Sequence, residues 1–421
     1  MLVKIKPEFI FTTYSGTLYN LTPENQAPLG ITNVHFIFGD VLRMHETLAR
    51  LPDTLTPKQF YNFTDKQIYL SSVDSSAKRS RGCESHSVVE IDNFGFKKIT
   101  NDQYLTICSL LRPDVLMALT EEPRLEPKGK KSMKRNIAKS LKFLAEAIEF
   151  KKKQGSSWKL FAPWQGSFFM DLRKIHLEGI EALKENLDGI VIHGLYDNPI
   201  INQENKQESG NEANGNVDKV DNKDEAEFPE PELTKHAFRN HIIQMARSVL
   251  KENQPLFLAS DGEPVKVLET IRAGVTHFES SFPFNLARAG RAWDFDPALW
   301  RQLTQNLIQA NYLMTDAMVD QVFEEGTYQS KSIDLNDKEF AKSLTPLVLN
   351  CSCYTCTNFT RAYINHLLAH HEMTANVLLS LHNAHLYRLF FDYLASDEFA
   401  ANSTRATFTF LNFFTSKATN N

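Results

Sequence analysis

The sequence predicts an α/β fold: a TIM-like (β/α)8 barrel with an inserted disordered loop and a smaller cysteine-bearing subdomain after it. Three observations carry this reading. Short apolar runs alternate with amphipathic stretches from Asp114 onward, one long polar segment interrupts them, and three cysteines fall within six positions near the end. Regular alternation of strand and helix argues for parallel strands joined by crossover helices.

The elements follow in order. "DVLMAL" (Asp114–Leu119) reads as a buried strand. After it comes "MKRNIAKSLKFLAEAIEFKKK", whose Ile137, Leu141, Leu144 and Ile148 recur at helical spacing. "KLFAPW" (Lys159–Trp164) is the next strand, and a helix runs from Asp171 to Glu185. The strand "GIVIHGL" (Gly189–Leu195) precedes a helix through "KHAFRNHIIQMARSVLKEN". Then come "PLFLAS" (Pro255–Ser260), a helix around "PVKVLETIRAG", and a strand near Thr276–Ser281. With "VHFIFG" and "SVVEIDNF" counted as strands upstream, a closed eight-stranded barrel suits the length better than an open sheet.

The segment 201–231 is nearly all Asn, Gln, Glu, Asp, Lys and Gly. It has too little apolar surface to order itself and reads as a disordered surface insertion, not a domain boundary. The expected organisation is a barrel over 1–340, a helical subdomain over 341–410 and a flexible tail over 411–421.

At 421 residues and 42% hydrophobic, the chain can bury one large core or two ordinary ones. A net charge of -5 leaves no global nucleic-acid footprint, so any basic surface is local. Five cysteines, with Cys83 and Cys108 far from the cluster, argue against a disulfide framework and for a reducing compartment. The first residues lack the apolar core of a signal peptide and the Arg/Ser richness of a transit peptide. No apolar run approaches the roughly 18 residues that span a bilayer. A soluble, cytoplasmic chain without an integral membrane segment is the expectation.

Cys351, Cys353 and Cys356 form C-x-C-x2-C, and His382 follows 26 positions after the last. Three soft thiolates and one imidazole are the usual composition of a closed structural zinc site, so one Zn2+ is expected. Leu378, Leu379 and Leu386 flank His382 at helical spacing and aim its ring at the core. His385 is its rival as fourth ligand, whereas His366, His370 and His371 read as packing or exposed residues. Four protein ligands leave no position for a reacting water, so this site is not catalytic.

The run "CSCYTCTNFTRAYINHLL…LLSLHN" resembles the zinc motif of the tRNA-guanine transglycosylase (queuine tRNA-ribosyltransferase) family. The likeness spans roughly Phe11 to Leu394 and is strongest to the family's eukaryotic accessory subunits. It implies a TIM-like barrel with a zinc subdomain, exchanging guanine for queuine or a precursor at a tRNA wobble position. It also implies a cytoplasmic location, with association at the mitochondrial outer membrane. The family's reaction needs a carboxylate to attack the ribose C1′ and expel guanine, the logic of a retaining glycosidase.

The motifs match unevenly. The family's "DSGGFQ" is "DNFGFK" here: Asp92 stands at the proton-handling aspartate, but Phe94 replaces a glycine and Lys97 the glutamine. "MAFDE" becomes "MALTE", so Thr120 replaces a base-reading aspartate, and a hydroxyl cannot accept two hydrogen bonds from guanine as a carboxylate does. "QGG…LR" survives as Gln165, Gly166, Ser167, Leu172 and Arg173. "GGLAVG" is reduced to His193, Gly194, Leu195 and Tyr196, whose two bulky residues are expected to crowd the pocket. "GVDMFDCVLPTR" reads "GVTHFESSFPFN", with Glu279 at the nucleophile's position and Asn285 at that of an arginine. A side chain one methylene longer displaces the attacking atom by about 1 Å, which can cost on the order of 10²-fold. Thr120, Gln165, Gly194, Asp261 and Glu279 all fall at C-terminal strand ends, where barrel sites are built.

The sequence therefore predicts no catalytic residue, with Asp92, Thr120 and Glu279 as degenerate positions, and with Asp92 and Glu279 as solvated or hydrogen-bonded carboxylates on the barrel rim. Lys128, Lys130, Lys131, Lys134 and Arg135 are candidate tRNA contacts, since each phosphate neutralised releases counterions. The expected partners are tRNA and a catalytic queuine tRNA-ribosyltransferase subunit in a heterodimer, or a homodimer without that subunit. Two other readings remain open. One is a divergent enzyme using Glu279 as nucleophile and Asp92 as proton carrier. The other is a zinc-containing RNA-binding protein with no transglycosylase partner.

Overall fold

The computed structural model describes residues 5–72, 88–91, 95–120, 130–167, 169–196, 235–325 and 328–417, with backbone alone for 88–91 and 95–98. Asp92, Phe94, Lys128 and the segment 201–231 lie outside them.

Eight parallel strands close the barrel: β1 (Glu8–Thr12), β2 (Asn33–Ile37), β3 (Gln67–Ser71), β6 (Val115–Met117), β7 (Lys159–Trp164), β8 (Gly189–Ile192), β9 (Leu256–Leu258) and β10 (His277–Ser280). Around the ring their order is β1-β10-β9-β8-β7-β6-β3-β2. Closure comes from β1 against β10, with Phe9 opposite Phe278 and Ile10 opposite Glu279.

Alternation along each strand divides the core in two. Ile10, Tyr69, Val115, Met117, Phe161, Val191 and Phe257 fill the barrel interior. Their neighbours Phe11, Leu70, Leu116, Leu160, Ile190, Leu258 and Phe278 face outward into the core shared with the helices. Burial on both faces is why these strands read as unbroken apolar runs. The helix Lys130–Gln154 buries Met133, Ile137, Ser140, Leu144 and Ile148, one stripe at three- and four-residue steps. It ends at Gly155, whose left-handed φ of +61° suits a helix C-terminus. The helices Met170–Glu181, Lys235–Val249 and Pro264–Ala273 complete the crossovers the sequence predicts.

Two expectations change. "SVVEIDNF" does not enter the barrel: β4 (Val88–Ile91) pairs antiparallel with β5 (Gly95–Lys98) in a separate hairpin. Glu90 at its centre suits a two-stranded hairpin better than a strand covered on both faces. The barrel takes β1 and β3 instead. Nor is 411–417 a flexible tail. The helix Asp397–Phe413 runs into it, Leu411 and Phe414 are buried, and β14 (Thr415–Lys417) pairs antiparallel with β12 (Tyr328–Ser330).

After the barrel, β11 (Arg291–Trp293) pairs with β13 (Ser332–Asp334), followed by the helices Tyr354–Asn358, Arg361–Ala369 and Met373–Leu394. Leu335, Leu347, Ile364, Leu367, Ala375, Leu378 and Leu379 form a small core of their own. Farther along the same helix, Leu381, Leu386, Tyr387, Phe390 and Phe391 belong to the barrel's core. Met373–Leu394 is therefore shared by both parts. Among the described residues no helix is long and apolar enough to cross a membrane.

Candidate functional site

The C-terminal mouth of the barrel is filled by its own side chains. Glu279 on β10 is 1% exposed, with the same inward parity as His277. Thr12 Oγ1 on β1 donates to Glu279 Oε1 at 3.3 Å, and His35 Nδ1 on β2 lies 3.4 Å from the same oxygen. His35 Nε2 is 2.8 Å from Ser71 Oγ on β3. Four adjacent strands thus contribute one buried polar chain. Glu279 is hydrogen-bonded, as expected of a rim group, but it is not solvated.

Across the mouth, Gln165 Nε2 donates to Thr120 Oγ1 at 3.0 Å, and both side chains are buried. His193, two residues beyond Val191, is also buried. Burial first, then the positive charge of Arg173, pushes its pKa down to about 3, so the ring is neutral.

Arg173 is wholly buried. It donates from Nε to Ser167 O (3.1 Å), from Nη1 to Trp164 O (3.2 Å) and from Nη2 to His193 O (2.7 Å). Its carbonyl accepts from Trp164 Nε1 at 3.0 Å. A Cβ at Gly166 would stand 2.9 Å from Arg173 N, so only glycine fits beside it. The surviving "QG…LR" motif is thus a cation capped by carbonyls that ties the end of β7 to the end of β8.

Tyr196 does not crowd the mouth as expected. Its hydroxyl turns outward and lies 2.8 Å from Glu269 Oε2 on the helix Pro264–Ala273. His236 Nδ1 meets Glu269 Oε1 at 2.7 Å, and Arg239 Nε donates to that oxygen at 2.7 Å. Burial works against the Glu269 charge, but His236 and Arg239 outweigh it and hold the carboxyl below its ordinary value.

The second centre is the cysteine cluster. The Cys351, Cys353 and Cys356 sulfurs and one His382 nitrogen all lie within 4.8 Å of one another. His382 Nδ1 is 3.7, 3.5 and 3.3 Å from the three sulfurs in that order. A tetrahedral ion with Zn–S and Zn–N bonds of about 2.3 and 2.0 Å requires an S···N edge of roughly 3.5 Å. His382 Nε2 lies 3.1 Å from Trp293 O, which fixes the tautomer and leaves Nδ1 to a metal. The cluster can hold a metal ion, and its donor set and edges are consistent with zinc. His385 is half-buried and stands outside the cluster.

The Cys3His cluster and the mouth share one helix. Asn383, beside His382, accepts from Trp293 N at 2.8 Å and donates to Pro283 O and Arg291 O at 3.1 and 3.0 Å. Tyr387 Oη donates to Gly262 O at 2.7 Å and lies 2.8 Å from Ser280 Oγ, next to Glu279. Asp261 O accepts from Ser281 N and Phe282 N, closing the β9 and β10 loops on each other. Asn285 bonds within its own turn, to Ser281 Oγ at 3.0 Å.

In the basic segment, Lys130 pairs with Asp171 at 2.8 Å, while Lys131, Lys134 and Arg135 are exposed on the first turns of their helix. Sequence reasoning missed Thr12, His35, Asn383 and Tyr387. Thr12 lies on a strand the sequence reading does not pick out, His35 falls inside the run "VHFIFG" read only as an apolar strand, and the last two read as ordinary members of an apolar helix.

A family profile described as Queuine tRNA-ribosyltransferase matches residues 5–211 and 230–396. The queuine tRNA-ribosyltransferase accessory subunit 2 of Homo sapiens is 26% identical over 405 residues, covering 92% of this chain and 88% of the relative. The protein of the same name from Pongo abelii is 26% identical over 407 residues, with coverages of 92% and 88%. The one from Gallus gallus is 25% identical over 402 residues, with 91% and 85%. With a closed parallel barrel, a Cys3His cluster behind it and a family match over most of its length, this chain belongs to the queuine tRNA-ribosyltransferase family.

Proposed function

We propose that this chain is the non-catalytic member of a two-subunit queuine tRNA-ribosyltransferase. It pairs with a catalytic subunit of the same barrel type and supplies an interface and part of the tRNA grip. The pair exchanges guanine for queuine at the wobble position. One observation supports this most: the carboxylate at the nucleophile's position is 1% exposed and engaged by Thr12 and His35. A nucleophile has to approach a ribose C1′ to about 3–3.5 Å, and a carboxylate enclosed by its own strands cannot. The similarity to relatives named accessory subunits supports the same reading.

The Cys3His cluster holds one structural zinc in this proposal, stapling the segment after the barrel to the helix Met373–Leu394. The exposed Lys131, Lys134 and Arg135 contact tRNA phosphates.

The test is base exchange measured in three arms with labelled guanine in tRNA: this chain alone, a catalytic partner alone, and the mixture. Activity confined to arms holding the partner, and highest in the mixture, is the expected result. Exchange by this chain alone, with a tRNA adduct that survives denaturation and vanishes in Glu279→Ala, would overturn it. A stable monomer that binds many RNAs and never co-purifies with a sister subunit would also overturn it.

A further inference from the structure

The helix Arg361–Ala369 and its cap carry the run "HLLAH", which places His366 and His370 at positions i and i+4. One turn of helix brings such side chains together on one face. Both imidazoles are exposed, with ring centroids 4.4 Å apart and planes inclined by 58°. Among the described residues, the two rings meet each other and neither imidazole carries a hydrogen bond or ion pair. Nothing in the proposed function uses them.

The opposite face of this helix is anchored. Ile364 and Leu367 are buried in the small core behind the cysteine cluster. Asn365 Nδ2 donates to Leu335 O and Asp337 O at 2.8 and 2.9 Å. Thr360 Oγ1 caps the N-terminus through Tyr363 N. The two rings are thus carried on a rigid element, so little has to be ordered when they close on a ligand.

We propose that His366 and His370 form a second metal site, separate from the Cys3His cluster and open to solvent. It takes one divalent transition ion, zinc or nickel, through two imidazoles, with water in the remaining positions. Imidazole suits these ions. The geometry fits as well: with a metal–nitrogen bond of about 2.0–2.1 Å, two rings sharing an ion at tetrahedral or square angles stand roughly 4.5–5 Å apart. A small ring rotation from 4.4 Å reaches that. The same two-histidine spacing holds zinc in the H-E-x-x-H helix of metalloproteases, where the glutamate is the general base. Leu367 stands in the glutamate's place here, so this site binds an ion without hydrolytic chemistry.

The test uses the full chain without an affinity tag, its Cys3His cluster already loaded with zinc, titrated separately with Zn2+ and Ni2+ by calorimetry. One further equivalent with micromolar affinity is expected. Because two linked ligands bind far more tightly than one, His366→Ala and His370→Ala should each weaken it at least roughly tenfold. His371→Ala, one residue beyond the pair, should leave it unchanged. No second equivalent, its persistence in the His366→Ala/His370→Ala double variant, or an equal loss in His371→Ala would overturn the assignment. Unchanged thermal melting of each variant confirms that the loss is of ligands and not of fold.

Discussion

Glu279 is one methylene longer than an aspartate, and the barrel has absorbed that methylene by turning the carboxylate onto Thr12 and His35. Two outcomes follow for this side chain. Glu279→Gln keeps its size and should change exchange by the reconstituted pair by less than about twofold, where loss of a true nucleophile costs several orders of magnitude. Glu279→Ala leaves Thr12 and His35 facing an unfilled polar site, which should cost about 1–3 kcal/mol in chemical denaturation. Glu269 makes the larger prediction. It is 4% exposed and answers Arg239, His236 and Tyr196 at once, so Glu269→Gln strands a half-buried guanidinium. Breaking such a mostly buried pair should cost on the order of 2–4 kcal/mol, readable as a lower urea midpoint at unchanged slope.

Elements differ in how much of them the sequence reveals. The five strands from β6 to β10 and the helices between them are legible because each is a local run with both faces apolar. β1 and β3 do not stand out in the sequence, and β1 owes its place to a pairing with β10 about 270 residues away, Ile10 with Glu279, which no local pattern encodes. The Cys3His cluster is legible because its spacing and donor chemistry are both local. The filled mouth is not: Thr12, His35, Thr120 and Gln165 become neighbours only when the ring closes. The helix Met373–Leu394 adds a coupling the sequence hides, with His382 on the metal cluster and Tyr387 on the β9 and β10 loops. Cys353→Ser should therefore release zinc and also loosen those loops, seen as faster hydrogen exchange in 261–285 as well as near the cluster. Tyr387→Phe keeps the metal but orphans Gly262 O, and should cost about 1–2 kcal/mol with protection lost only at the loops.

At the scale of the whole molecule, burial of histidines sets the response to acid. His176, His193 and His277 have their pKa values lowered to about 4, 3 and 4, each chiefly by burial. An unfolded histidine takes up its proton near 6.5, so between there and about 4 the unfolded chain binds more protons and stability falls with pH. From pH 7 to pH 5 each group contributes about 2 kcal/mol of that loss, on the order of 6 kcal/mol together. The melting temperature should drop steeply below pH 6.5, before carboxylates titrate. A flat profile down to pH 5 would count against neutral buried rings. The Glu269 cluster has a second consequence at this scale. Tyr196 and His236, the residues on either side of 197–235, end on the same carboxylate. The barrel is thereby insulated from the length of chain between them, since doubling a connection whose ends are already pinned adds only about 0.6 kcal/mol. That point on the β8–β9 crossover is a natural splice site, where a folded reporter domain could be carried without disturbing β8, β9 or the mouth they help to close.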